Sequence, residues 1–177
     1  MAANDEPPLI SAVLAKDIVE CRRLIDTGEA NVNGDRSQYE STALYKKSYG
    51  SQYGSTALHI ASYSGYLEIS ELLTSSGADV NIRNIGGNTA LHWASMYGHL
   101  EIVQLLLCQG ADISFRNQFG RTALYYASYN GHLKVADCLR KWPWTMAIII
   151  ALKENLAVYH LLDASTIIDL WQYLDNQ

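Results

Sequence analysis

A period of 33 residues runs through the middle of this chain and constrains its fold more than any other feature. Gly54, Gly87 and Gly120 form one row, and Thr56, Thr89 and Thr122 a second. Leu58, Leu91 and Leu124 recur in step, as do Ala61, Ala94 and Ala127. Gly65, Gly98 and Gly131, then Leu67, Leu100 and Leu133, complete the pattern. A fixed period of this length means stacked supersecondary units, each burying its apolar face against its neighbours. The predicted fold class is all-α, a solenoid of helix-turn-helix units. Scaffolds of this kind usually bind other macromolecules.

The stretch from Gly87 to Asn117 illustrates the unit. Thr89 suits a helix N-terminus, where its hydroxyl can satisfy an orphan amide. The predicted first helix is Ala90 to Tyr97, with Ala90, Ala94 and Ser95 on one side. Gly98 ends it in a left-handed conformation. The second helix is predicted from Leu100 to Cys108, with Leu100, Ile102, Val103, Leu105 and Leu106 as its buried face. Gly110 closes it, and Ala111 to Asn117 leads into a turn before Gly120 restarts the cycle.

These residues resemble a known family. The strings STALHIASYSGYLEISELLTSSGADVN, NTALHWASMYGHLEIVQLLLCQGADIS and RTALYYASYNGHLKVADCL are similar to the ankyrin repeat. The resemblance implies an ankyrin-repeat solenoid with β-turn or hairpin fingers projecting from the helical stack. Ala57, Ala90 and Ala123 stand where the family usually has proline, and alanine preserves the helix start. Tyr125 replaces the usual His and Ser114 the usual Asn, which weakens the polar bonding expected in the last full repeat.

The expected ankyrin-repeat domain is 1–143. It comprises a degenerate repeat at 7–33, an insertion at 34–52, and repeats at 53–85, 86–118 and 119–143. In the degenerate repeat, Ile18, Cys21, Leu24 and Ile25 share one helix face, with Glu20, Arg22, Arg23 and Asp26 opposite, as a capping repeat requires. SQYESTAL at 37–44 recurs as SQYGSTAL at 51–58, so the insertion is expected to project as a finger or extra helical loop. A rival reading has the two copies competing for one place in the stack.

Pro143 ends the repeat pattern, since proline cannot continue a helix. Short helices are expected at 145–152, 156–162 and 167–174. Residues 144–177 read as a helical cap on the open end of the stack. The alternative is an F-box-like or suppressor-of-cytokine-signalling-box-like segment, loosely similar at TIIDLWQYL, which would make the protein a substrate adaptor for a ubiquitin ligase.

The formal net charge is -5, with 13 Lys and Arg against 18 Asp and Glu, and no third of the chain is strongly basic. The electrostatic footprint of a nucleic-acid binder is missing. The three cysteines, Cys21, Cys108 and Cys138, form no CxxC pair. This suits a reducing compartment and argues against a disulfide framework or zinc site. Cys21 and Cys138 fall at core positions, and Cys108 is expected to be exposed. The acidic, polar N-terminus does not read as a signal peptide. The apolar run from Met146 to Leu152 is far short of the roughly 20 residues that span a membrane. The chain is expected to be cytoplasmic, with the nucleus also open, and monomeric, binding a protein but no nucleic acid or membrane.

His59, His92, His99 and His132 lie one per motif position on successive repeats, not around one point, and the resemblance implies structural hydrogen bonds for them. No catalytic order, paired acids or phosphate loop is evident, so no catalysis, cofactor or metal is expected. The resemblance places partner contacts on the turn tips and the exposed side of the first helices, a concave strip. The residues mapped there are Gln52, Tyr53, Ser55, Tyr63, Ser64, Arg83, Ile85, Asn88, Met96, Tyr97, Arg116, Gln118, Phe119, Arg121, Tyr129 and Asn130. The expected partner-binding core is Tyr53, Tyr63, Arg83, Ile85, Met96, Tyr97, Arg116, Phe119, Arg121 and Tyr129, residue types enriched where interfaces concentrate their energy. The three arginines suggest a partner with exposed carboxylates. The resemblance also implies that Asn81, in Asp79-Val80-Asn81 and eight residues after Leu73, could be an asparaginyl hydroxylation site.

Overall fold

The computed structural model describes residues 7–34 and 54–142. The insertion at 34–52 past Gly34, Tyr53, and the cap or adaptor segment at 144–177 lie outside the described residues.

The helices follow in pairs: α1 (Pro8–Leu14) and α2 (Ile18–Asp26), α3 (Ala57–Ser64) and α4 (Leu67–Ser75), α5 (Ala90–Tyr97) and α6 (Leu100–Cys108). The last pair is α7 (Ala123–Tyr129) and α8, which begins at 133 and is helical through 142. There is no strand among the described residues. The repeated threonines solve the same local problem each time. Thr56, Thr89 and Thr122 are all extended, with ψ of 170°, 171° and 169°, and each starts a helix one residue later. Asp17 starts α2 by accepting the Glu20 N–H at 3.0 Å. The turn between the helices of a pair is left-handed. Gly98 has φ 77°, and Lys16 holds the equivalent place in the first pair at φ 56°. A side chain in that conformation is strained, one local cost of the degenerate first repeat.

First helices stack on first helices (α1 on α3, α3 on α5, α5 on α7), and second helices on second helices (α2 on α4, α4 on α6). One continuous apolar core runs from Leu9 and Ile10 through Leu58, Leu73, Leu91 and Leu106 to Leu139 and Trp142. Ala61, Ala94 and Ala127 are fully buried on the first helices. The fold is the expected all-α repeat solenoid.

Two expectations about the core need correction. The buried face of α6 is Ile102, Val103, Gln104, Leu106 and Leu107, while Leu100 and Leu105 are only half-buried. This second helix is covered from two sides, by its own first helix and by the preceding second helix, so its buried arc is wider than a single stripe and rotated from it. Cys108 is half-buried against the core and not exposed. Burial raises its thiol above the ordinary value, and burial drives the Cys21 thiol up to about 11. Both behave as small hydrophobes.

A polar clamp ties successive repeats along the outer turns. The Asn33 side chain accepts the Asp79 N–H at 2.8 Å and donates to the Gly77 carbonyl at 3.3 Å. Asn81 does the same to Asp112 (2.9 Å) and Gly110 (3.1 Å). Ser114, the next member of the row, has no such bond among the described residues; its own N–H donates to the Asp112 carboxylate at 2.8 Å.

Candidate protein-binding surface

The candidate surface is built from hairpin tips and the first helices that follow them. The Asn84 carbonyl accepts the Gly87 N–H at 2.8 Å, and the Asn84 N–H donates to the Asn88 carbonyl at 2.9 Å. One repeat on, Asn117 makes both bonds again, with Gly120 and Arg121, each at 2.9 Å. Asn117 also accepts the Phe119 and Arg121 N–H groups on its Oδ1, both at 3.0 Å. A short polar side chain that satisfies its own turn is the usual reason for asparagine at such a place.

Neighbouring tips are bonded together. Gln118 donates its backbone N–H to the Gly86 carbonyl at 3.1 Å and its side-chain amide to the Ile85 carbonyl. Arg83 donates to the Arg116 carbonyl at 2.8 Å. Asn117 donates to Asn88 Oδ1 at 2.9 Å and to the Tyr126 hydroxyl at 2.8 Å. The tips therefore form a continuous, pre-organised edge.

The motif histidines connect this edge to the helices. His92 Nδ1 accepts the Thr89 N–H at 3.1 Å and lies 2.9 Å from the Thr89 hydroxyl. The proton must then sit on Nε2, which donates to the Arg121 carbonyl of the next repeat at 3.1 Å. His59 is arranged in the same way, with Thr56 at 3.1 Å and the Asn88 carbonyl at 3.0 Å. His99 donates to the Tyr63 carbonyl at 3.2 Å and His132 to the Met96 carbonyl at 3.0 Å. These bonds are the structural role implied by the resemblance. Tyr125 cannot repeat it: Thr122 caps α7 by accepting the Tyr125 N–H at 3.2 Å, and the tyrosine ring is 40% exposed. Among the described residues no group of three His, Cys, Asp or Glu side chains converges on a possible metal position.

The mapped strip residues divide into three groups. Ser55 and Asn88 were expected at the surface but are buried, because both are consumed in the tip-to-tip network. Ser55 accepts from Asn84 at 3.3 Å, and Asn88 accepts from Asn117. Tyr63, Met96, Arg83 and Arg116 are partly committed within the protein. Tyr63 meets Trp93 and Tyr97 edge-on at centroid distances of 5.8 and 4.6 Å. The Met96 carbonyl accepts from Asn130 and His132. Arg83 is held by the Arg116 and Gly87 carbonyls, and Arg116 by the Gly120 carbonyl at 3.0 Å. Ile85, Tyr97, Phe119 and Tyr129 are large and exposed, Phe119 at 72% and Tyr129 at 76%. Burial against its neighbours and a hydrogen bond with Tyr63 push the Tyr97 phenol up to about 12, so it stays a neutral donor.

One surface residue was missed. Tyr125 stacks on Tyr129 at 5.8 Å and 11° and carries the Arg121 guanidinium over its ring at 5.1 Å. In the sequence it registers only as a departure from the motif histidine. That departure was the available signal, because a tyrosine cannot enter the slot an imidazole fills.

Paired helices stacked in one direction and joined by bonded hairpin tips define a repeat scaffold. The family model for ankyrin repeats (3 copies) matches residues 1–84, 46–117 and 82–143, and the chain belongs to the ankyrin-repeat family. No curated protein matches the chain significantly. Ankyrin repeats are generally protein–protein interaction modules, and the proteins that carry them are typically non-catalytic scaffolds. No helix among the described residues is long and apolar enough to cross a membrane.

Proposed function

We propose that this chain is a non-catalytic scaffold that binds a protein partner across the tips and first helices of its repeats. The observation that carries this reading is the run of exposed Ile85, Tyr97, Phe119, Tyr125 and Tyr129 along one rigid edge. Large aromatic side chains on a pre-organised surface supply contact area at little entropic cost on binding. The working set is Tyr97, Phe119, Arg121, Tyr125 and Tyr129, with Ile85 and Tyr63 beside it. Asn81 serves the clamp first; hydroxylation there would require both of its bonds across the repeat boundary to open.

The test is capture from lysate with two baits, the intact chain and a variant carrying Tyr97→Ala, Phe119→Ala and Tyr129→Ala. All three side chains are exposed, so the variant should keep its helical circular dichroism spectrum. A protein retained by the first bait and lost from the second supports the strip. Identical captures would remove it as the working site.

A further inference from the structure

Charge is segregated within each repeat. The tip and first-helix segments 54–66, 80–99 and 113–132 contain no Asp or Glu. The acids of the same repeats, Glu68, Glu71, Asp79, Glu101, Asp112 and Asp137, all fall on second helices or the turns after them. A chain of net charge -5 thus presents a strip whose charged groups are arginines.

Arg121 is the arginine of the strip with its donors uncommitted. Its guanidinium lies over Phe119 at 5.6 Å, Tyr125 at 5.1 Å and Tyr126 at 6.0 Å. Among the described residues its side chain makes no hydrogen bond or ion pair, in contrast to Arg83 and Arg116. Contact with the rings consumes none of its N–H donors, so the fork is free to grip a carboxylate through two parallel bonds. The rings also hold the fork in place before a partner arrives, which lowers the ordering cost. Phe119 is one of those rings and Tyr129 stacks on another, Tyr125, and both are largely exposed.

We propose that the partner engages this strip through an acidic segment, with an Asp or Glu carboxylate on Arg121 and an adjacent apolar or aromatic residue against Phe119 and Tyr129. The proposal rests on the strip being the binding site. Complementary charge selects against basic partners and speeds encounter with acidic ones.

The experiment is selection of a phage-displayed library of random peptides on the intact chain, followed by fluorescence polarisation with synthetic copies of the winners. Selected peptides should be enriched in Asp and Glu over the input. Arg121→Gln should weaken them on the order of tenfold to a hundredfold, the loss expected for one charge-assisted pair. Arg121→Lys should give a smaller loss, since it keeps charge without the fork. Both variants change an exposed side chain, and unchanged circular dichroism spectra confirm their folding. Failure to select any peptide, selection of neutral or basic ones, or equal binding to Arg121→Gln overturns the proposal. Neutral peptides lost from the triple alanine variant but not from Arg121→Gln would overturn the acidic partner while sparing the strip. Acidic peptides that bind the triple variant as tightly as the intact chain would overturn both. A single-stranded oligothymidylate that binds through Arg121 more tightly than any peptide would also overturn it.

Discussion

Burial pushes the His92 imidazole below its ordinary value of 6.5, against the raising influence of its bonds to backbone carbonyls. The geometry agrees, because Nδ1 must stay unprotonated to accept the Thr89 N–H. Below 6.5 the unfolded chain takes up a proton that the folded chain resists. The stability due to His92 is therefore complete above that pH and is lost as pH falls towards the folded value. His92→Ala should cost about 2–4 kcal/mol, combining a lost cap and a lost bond across the repeat boundary. His92→Gln should cost less, since glutamine can still complete the capping box. Urea denaturation at about pH 7.5 and about pH 5.5 should show a smaller acid-side loss in both variants than in the native chain. The structural role of the histidines follows from their period, because equivalent residues of a stack cannot meet at one point. The commitment of Arg83 to the Arg116 carbonyl could not be foreseen. It depends on how one tip sits against the next, which no local pattern encodes.

The helix bounds Ala90–Tyr97 and Leu100–Cys108 were readable residue by residue because caps and stops are local signals. Which face a helix buries is not local, and Gln104 and Leu107 displaced Leu100 and Leu105 for that reason. The stops themselves differ in what surrounds them. A Cβ added at Gly98 would lie 2.5 Å from His132 Nδ1, whereas one at Gly110 meets nothing within 4 Å. Both glycines are left-handed, at φ 77° and 86°. Gly110→Ala should therefore cost only backbone strain, about 1 kcal/mol. Gly98→Ala should cost clearly more, because His132 must give up its place and its bond to the Met96 carbonyl. Thermal midpoints of the two variants would check the order, and equal shifts would refute it.

At the scale of the molecule, stability is a sum of repeat and boundary contributions, and the Asn33 and Asn81 clamps belong to the boundaries. Asn81→Ala removes two bonds between the second and third helical pairs and the fourth's leading turn without touching the core. It should cost about 1–3 kcal/mol and broaden the urea transition, since weaker coupling lets repeats open separately. An unchanged slope with a lower midpoint would mean the clamp adds stability but not cooperativity. The solenoid and its direction were visible in the 33-residue rows. The surface was visible only in part: Tyr125 and the segregation of carboxylates from arginines emerge once the helices are assigned to layers.

The spacing of the two clamps has a consequence for how such a chain can change over generations. Asn33 reaches Asp79 across 46 positions, and Asn81 reaches Asp112 across 31, yet the same bonds form. Helix α1 still packs directly on α3. Chain length between Gly34 and Gly54 is thus uncoupled from the register of the stack, and lengthening a closed connection costs only logarithmically in entropy. That junction is a permissive address, where duplicated or foreign sequence can accumulate, and where a reporter or a new pair of termini could be introduced, while every repeat keeps its neighbours.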